Sequence, residues 1–111
     1  MPETVYSVPR TTPRFTFIAE AEVAELGDGL RIVARISELS ARGCYVDTVN
    51  PFPVGTELHV RIRYGCSTCE LPGEVIYTHS GYGMGVRFGE AAAEHRAMLD
   101  GWLDELARKS N

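Results

Sequence analysis

Lysine is almost missing from this chain: ten of its eleven basic side chains are arginine, and the single lysine is Lys109. Positive charge in excess is missing too. The net charge of −4 excludes a general nucleic-acid binder held by bulk attraction to phosphates. Long apolar runs are absent, and none approaches the ~18 residues a membrane-spanning helix needs. The opening residues, Met1 to Tyr6, lack the basic-then-apolar order of a signal peptide. Cysteine is scarce and odd in number, three in all, where a small secreted domain usually carries an even set in bridges. A cytoplasmic location is the resulting expectation.

What is present fits one compact domain: 111 residues, 44% of them hydrophobic, enough for a single core. Arginine in place of lysine has a chemical meaning, because its planar fork of donors matches phosphate oxygens and guanine edges. A GC-rich genome also writes arginine for lysine, so the bias alone assigns no ligand.

Residues 1–14 carry prolines at 2, 9 and 13 and show no periodicity, which predicts an extended lead-in segment. From 15 to 25, Phe15, Phe17, Ala19, Ala21 and Val23 alternate with polar residues, the period of a half-buried strand. Gly27-Asp28-Gly29 signals a hairpin turn. Leu30, Ile32, Ala34 and Ile36 alternate with Arg31, Arg35 and Ser37 as a second strand, and Cys44-Tyr45-Val46 form a short third. Asn50 to Gly55, with Pro51 and Pro53, reads as a loop, since proline cannot donate to a sheet ladder. Leu58, Val60, Ile62 and Tyr64 mark a fourth strand; 70–79 and 82–88 mark two more, parted by Ser80-Gly81.

Residues 90–108 change character. Ala91, Met98, Trp102, Leu103 and Leu106 fall near a helical period, with Glu90 and Glu94 at the start and Arg108 and Lys109 at the end, as the helix dipole favours. Six short strands and one amphipathic helix predict a mainly β fold. The sheet closes or sandwiches on itself, and the helix buries its stripe against an open end or face.

Catalysis finds little support. His59 points outward from its strand, His79 ends a strand and His95 lies on the helix, and none has a recognisable nucleophile or metal ligand near it in sequence. Cys66-Ser67-Thr68-Cys69 is a CxxC motif, yet structural zinc usually takes four ligands and redox CxxC motifs open a helix. The pair reads as a hairpin loop in which two thiols lie close. No metal is expected.

Arginines at 10 and 14 each follow a proline. Proline fixes φ and biases its predecessor toward extended backbone, so the two forks stand roughly 13 Å apart along the chain. They can grip separate parts of one large anion, or they are a basic tail. In Glu38-Leu39-Ser40-Ala41-Arg42-Gly43, Glu38 can accept from a guanine's N1–H and amine. Ser40 can donate or accept, Arg42 adds charge, and Gly43 lets a flat ligand approach the backbone. Equally, Ser40 caps a local N–H there and Gly43 adopts positive φ.

Taken together, Arg10-x-x-x-Arg14, a strand, a hairpin and then x-x-Ser40-x-x-Gly43 resemble the PilZ domain family, whose pattern is RxxxR followed by [D/N]xSxxG. "GYGMGVRF" (81 to 88) before a terminal helix is similar to the family as well. The resemblance runs from about residue 10 to about 108. It implies a six-stranded antiparallel β-barrel with a C-terminal helix, spanning 15–111 after the segment 1–14. It also implies binding of cyclic di-GMP, with Arg10 and Arg14 contacting guanines and phosphates beside Ser40 and Gly43. Glu38 departs from the pattern: it keeps the carboxylate but adds a methylene and rotamer entropy, which implies weakened binding. The implied mechanism is a clamp, in which the N-terminal segment orders over the ligand and signals to a protein effector in trans. The competing expectation is a degenerate adaptor that binds a protein partner without nucleotide.

Overall fold

A computed structural model of the chain describes residues 12–109. Six strands, β1 (Arg14–Glu25), β2 (Arg31–Ser40), β3 (Gly43–Asp47), β4 (Glu57–Tyr64), β5 (Ser67–His79) and β6 (Gly83–Phe88), precede one helix, α1 (Ala93–Lys109). The strands close into a barrel in the order β1-β2-β3-β6-β5-β4, every pairing antiparallel. Alternation puts Phe17, Ala19, Ala21 and Val23 of β1 inside, facing Leu58, Val60 and Ile62 of β4 and Leu71 and Val75 of β5. Period-two patterning therefore fixes which face of each strand is buried.

Local chemistry sets the turns. Gly29 takes φ +73° in the β1–β2 hairpin, where Glu25 N donates to Leu30 O at 2.7 Å. The β4–β5 turn is only Gly65-Cys66, because Tyr64 already pairs with Ser67. The CxxC is thus not a loop that brings two thiols together. Cys66 is exposed in the turn, while Cys69 lies inside β5 and faces the core.

Helix α1 begins at Ala93, three residues later than its charge pattern suggests, and its buried side chains are Leu99 and Trp102. Trp102 packs against Phe17 (centroids 5.7 Å apart) and Tyr64 (5.5 Å). β5 extends past the end of β6, whose pairing with it starts at Gly73↔Phe88. On that overhang Glu70 N donates to His95 Nδ1 at 3.1 Å, and the Cys69 thiol donates to His95 O at 3.3 Å. Pro72 is tolerated on the same overhang because no β6 neighbour there requires its missing N–H.

Candidate functional site

The hairpin register of β1 and β2 brings distant residues together. Arg14, the first residue of β1 rather than the last of a lead-in, pairs with Ser40, and Thr16 pairs with Glu38. Arg14 Nη1 then reaches Glu38 Oε1 at 3.4 Å, with both side chains roughly 40% exposed (38% and 42%). Arg10 lies outside the described residues.

The Ser40-Ala41-Arg42-Gly43 turn is closed by the serine. Its Oγ accepts from Arg42 N and Gly43 N, both at 3.2 Å, and donates to Gly43 O at 3.3 Å. Gly43 is not in the left-handed region. It starts β3 opposite Arg87, and a Cβ there would stand 2.0 Å from Val86 O. Glycine is demanded by the neighbouring backbone of β6, which corrects the expectation that this residue adopts positive φ. Arg42 O accepts from Phe88 N at 2.7 Å, and Ala41 O accepts from Arg96 Nη1 of α1 at 2.9 Å.

These groups line one outer-face cleft of about 200 Å³, with Arg14, Glu38, Ser40, Arg42 and Gly43 on one side. The opposite side, Ile76, Tyr77, Gly85 and Arg87, escapes the sequence reading. Its signal was the spacing of Gly83 and Gly85, which both face outward. A Cβ on Gly85 would meet the Tyr77 ring at 2.3 Å, and one on Gly83 would meet the Tyr45 ring at 2.6 Å. Outward glycines leave room for aromatic rings to lie across the sheet. Tyr45, Tyr77 and His79 form such a layer, with Tyr45 Oη and His79 Nδ1 hydrogen-bonded at 2.9 Å. Burial chiefly, and then Tyr77 and Asp47, raise the Tyr45 phenol above its ordinary value.

Three guanidiniums therefore edge the cleft. Arg14 is paired with Glu38 and Arg87 with Glu74 (3.1 Å), whereas Arg42 has no carboxylate partner among the described residues. The arrangement can take a planar, hydrogen-bonding, anionic ligand against an aromatic wall.

The other two histidines are engaged elsewhere. His59 Nε2 meets Glu70 Oε1 at 2.9 Å on the far side of the barrel, and His95 serves the helix. Among the described residues no group of three or more His, Cys, Asp or Glu is placed to hold a metal. No helix among them is long and apolar enough to cross a membrane.

Comparison with known proteins agrees with this geometry. The PilZ domain family model matches residues 9–105. The PilZ domain of YcgR from Escherichia coli, solved with c-di-GMP, superimposes with a TM-score of 0.73 at 14% identity, covering 93% of this chain and 95% of that one. MotI/DgrA, an inhibitor of motility from Bacillus subtilis, gives 0.74 at 18% identity over 93% of this chain and 52% of that one. MrkH from K. pneumonia, in complex with c-di-GMP, gives 0.76 at 15% identity over 93% and 53%. The chain thus spans about half the length of the last two. No curated protein matches the sequence significantly.

Proposed function

The chain belongs to the PilZ domain family, and from that premise we propose that it is a receptor for cyclic di-GMP, without catalytic activity, acting in the cytoplasm. One observation carries the reading. Arg14 and Glu38, 24 residues apart, meet beside Ser40 and Gly43 on a single cleft that also offers Arg42, which has no carboxylate partner among the described residues. Two relatives of the same fold, YcgR and MrkH, are complexes with c-di-GMP.

In this reading Arg14 and Arg10 grip phosphates and guanine edges, Glu38 accepts from a guanine's N1–H and amine, and the Ser40 turn sets the distance between them. The segment bearing Arg10 closes over the ligand. Its ordering costs conformational entropy, so binding is enthalpy-driven. The moved segment is then read by a protein effector, the kind of output that an inhibitor of motility represents among the relatives.

The Arg14–Glu38 ion pair favours a second reading. It already joins two groups the ligand would use, as in an adaptor that binds a protein without nucleotide. Calorimetric titration of the purified chain with cyclic di-GMP decides between them. The receptor gives saturable heat that Arg10→Ala and Arg14→Ala each abolish. An absence of heat at high-micromolar nucleotide overturns it in favour of the adaptor.

A further inference from the structure

The turn that forms one wall of the cleft is tied to the helix as well as to the sheet. Its polar backbone atoms are satisfied by three elements. Ser40 of β2 takes the Arg42 and Gly43 N–H groups, Phe88 of β6 donates to Arg42 O, and Arg96 of α1 donates to Ala41 O at 2.9 Å. Arg96 is itself braced by Asp100 one turn on, at 3.5 Å. The residue before it, His95, reaches the other way to clasp Glu70 and Cys69 of β5. Four and seven residues past His95 the helix buries Leu99 and Trp102, and Trp102 packs on Phe17. Phe17 stands three positions after Arg14 on β1. Two parts of the same wall therefore touch α1: the Ser40 turn through Arg96, and the Arg14 strand through Phe17 and Trp102.

We infer that Arg96 is a positioning residue that couples occupancy of the cleft to the docking of α1, so that the helix is a second output of the domain. The physical basis is that a guanidinium–carbonyl bond is charge-assisted and geometrically narrow. A ligand that engages Arg42 or Gly43 and shifts the turn must stretch or tighten the Arg96 bond, and the displacement arrives at the first turn of the helix. By linkage the coupling is reciprocal: a helix held by Arg96 presets the turn for ligand. The inference rests on the cyclic di-GMP reading for its ligand arm alone.

The test uses the full chain, its one tryptophan (Trp102 on α1) as a fluorescent reporter, and amide exchange across residues 93–109. On saturation with cyclic di-GMP, wild type slows helix exchange about fivefold or more and shifts Trp102 emission. Arg96→Ala binds about tenfold more weakly and, at saturation, loses the helix response. Arg96→Lys, which can still donate to Ala41 O, regains part of both. An Arg96→Ala protein whose helix responds as wild type does at saturation overturns the inference.

If wild type binds no nucleotide, the receptor reading fails and the coupling is judged without ligand. Arg96→Ala should then speed exchange at the Arg42 and Gly43 amides, and Ser40→Ala should speed exchange in the first turns of α1. Val60 and Ile62 amides, deep in β4, serve as the unchanged reference. Helix exchange unmoved by Ser40→Ala overturns the coupling independently of any ligand.

Discussion

Replacing Gly43 by alanine would set a methyl carbon 2.0 Å from Val86 O, 3.1 Å from Val86 C and 3.2 Å from Arg87 Cα. All three atoms are backbone, so no rotamer change relieves the contact. To reach an ordinary separation near 3.4 Å, β3 and β6 must part by more than about 1 Å, comparable to the overpacking that costs 1–3 kcal/mol in cores. The movement falls where Gly43 pairs with Arg87 and where Phe88 N binds Arg42 O, so ladder hydrogen bonds worth about 1 kcal/mol each are stretched as well. A total near 3 kcal/mol is a large part of a domain stability of roughly 5–15 kcal/mol, and it lowers Tm by roughly 10–20 °C. Urea unfolding followed by Trp102 fluorescence measures it. Gly29→Ala is the control: its φ of +73° is strained for alanine, yet nothing lies within 4 Å, so the loss should stay near 1 kcal/mol. A Gly43→Ala protein within 0.5 kcal/mol of wild type, roughly the spread of neutral surface changes, would refute the packing explanation of the motif glycine.

Three more outcomes can be checked. Glu38→Asp shortens the arm that now reaches Arg14 and should tighten cyclic di-GMP binding severalfold by calorimetry. Its effect on stability should stay below about 1 kcal/mol, since the pair is well exposed; unchanged or weaker binding counts against the spacing account of Glu38. Burial pushes the Cys44 thiol up to about 12 and Cys69 to about 11, so a thiol reagent at neutral pH should modify one group, Cys66, in the native protein and three in denaturant. Fast native reaction of two thiols would reopen a redox role for the CxxC pair. The hydrogen bond from His59 holds the Glu70 carboxyl below the ordinary 4.5, with Arg61 helping and partial burial opposing. A depressed carboxylate contributes stability above its unfolded value and loses it as pH falls through the folded one. His59→Ala should therefore flatten the acid limb of urea midpoints between about pH 6 and pH 3, and a limb as steep as wild type would remove Glu70 as its source.

Much of the barrel was written in alternation. Phe17, Ala19, Ala21 and Val23, or Leu58, Val60 and Ile62, declare their inward face one residue at a time, and that signal is local. What resists reading depends on register between strands far apart in sequence. Tyr77 belongs to the site only because Gly85 pairs opposite it. Gly43 looks like a turn glycine until β6 is laid beside it. Cys69 reads as loop because the turn Gly65-Cys66 is two residues long and Ser67-Thr68 are already strand. Leu99, fully buried, lies outside the expected helical stripe although it neighbours Met98. The helix tethers were hidden for another reason. His95 and Arg96 look like ordinary polar helix residues, and only the docked helix shows one reaching β5 and the other the Ser40 turn.

The clasp of His95 on the β5 overhang also has a bearing on solubility. A strand edge with free N–H and C=O groups is a template on which another chain can pair. Here the Glu70 N–H facing away from β4 is taken by an imidazole, and Gly89 N takes the neighbouring Pro72 carbonyl at 2.9 Å. Helix α1 thus guards a seam that barrel closure leaves open. Anything that lifts the helix, a partner included, would open that edge of the barrel to strands from its own kind.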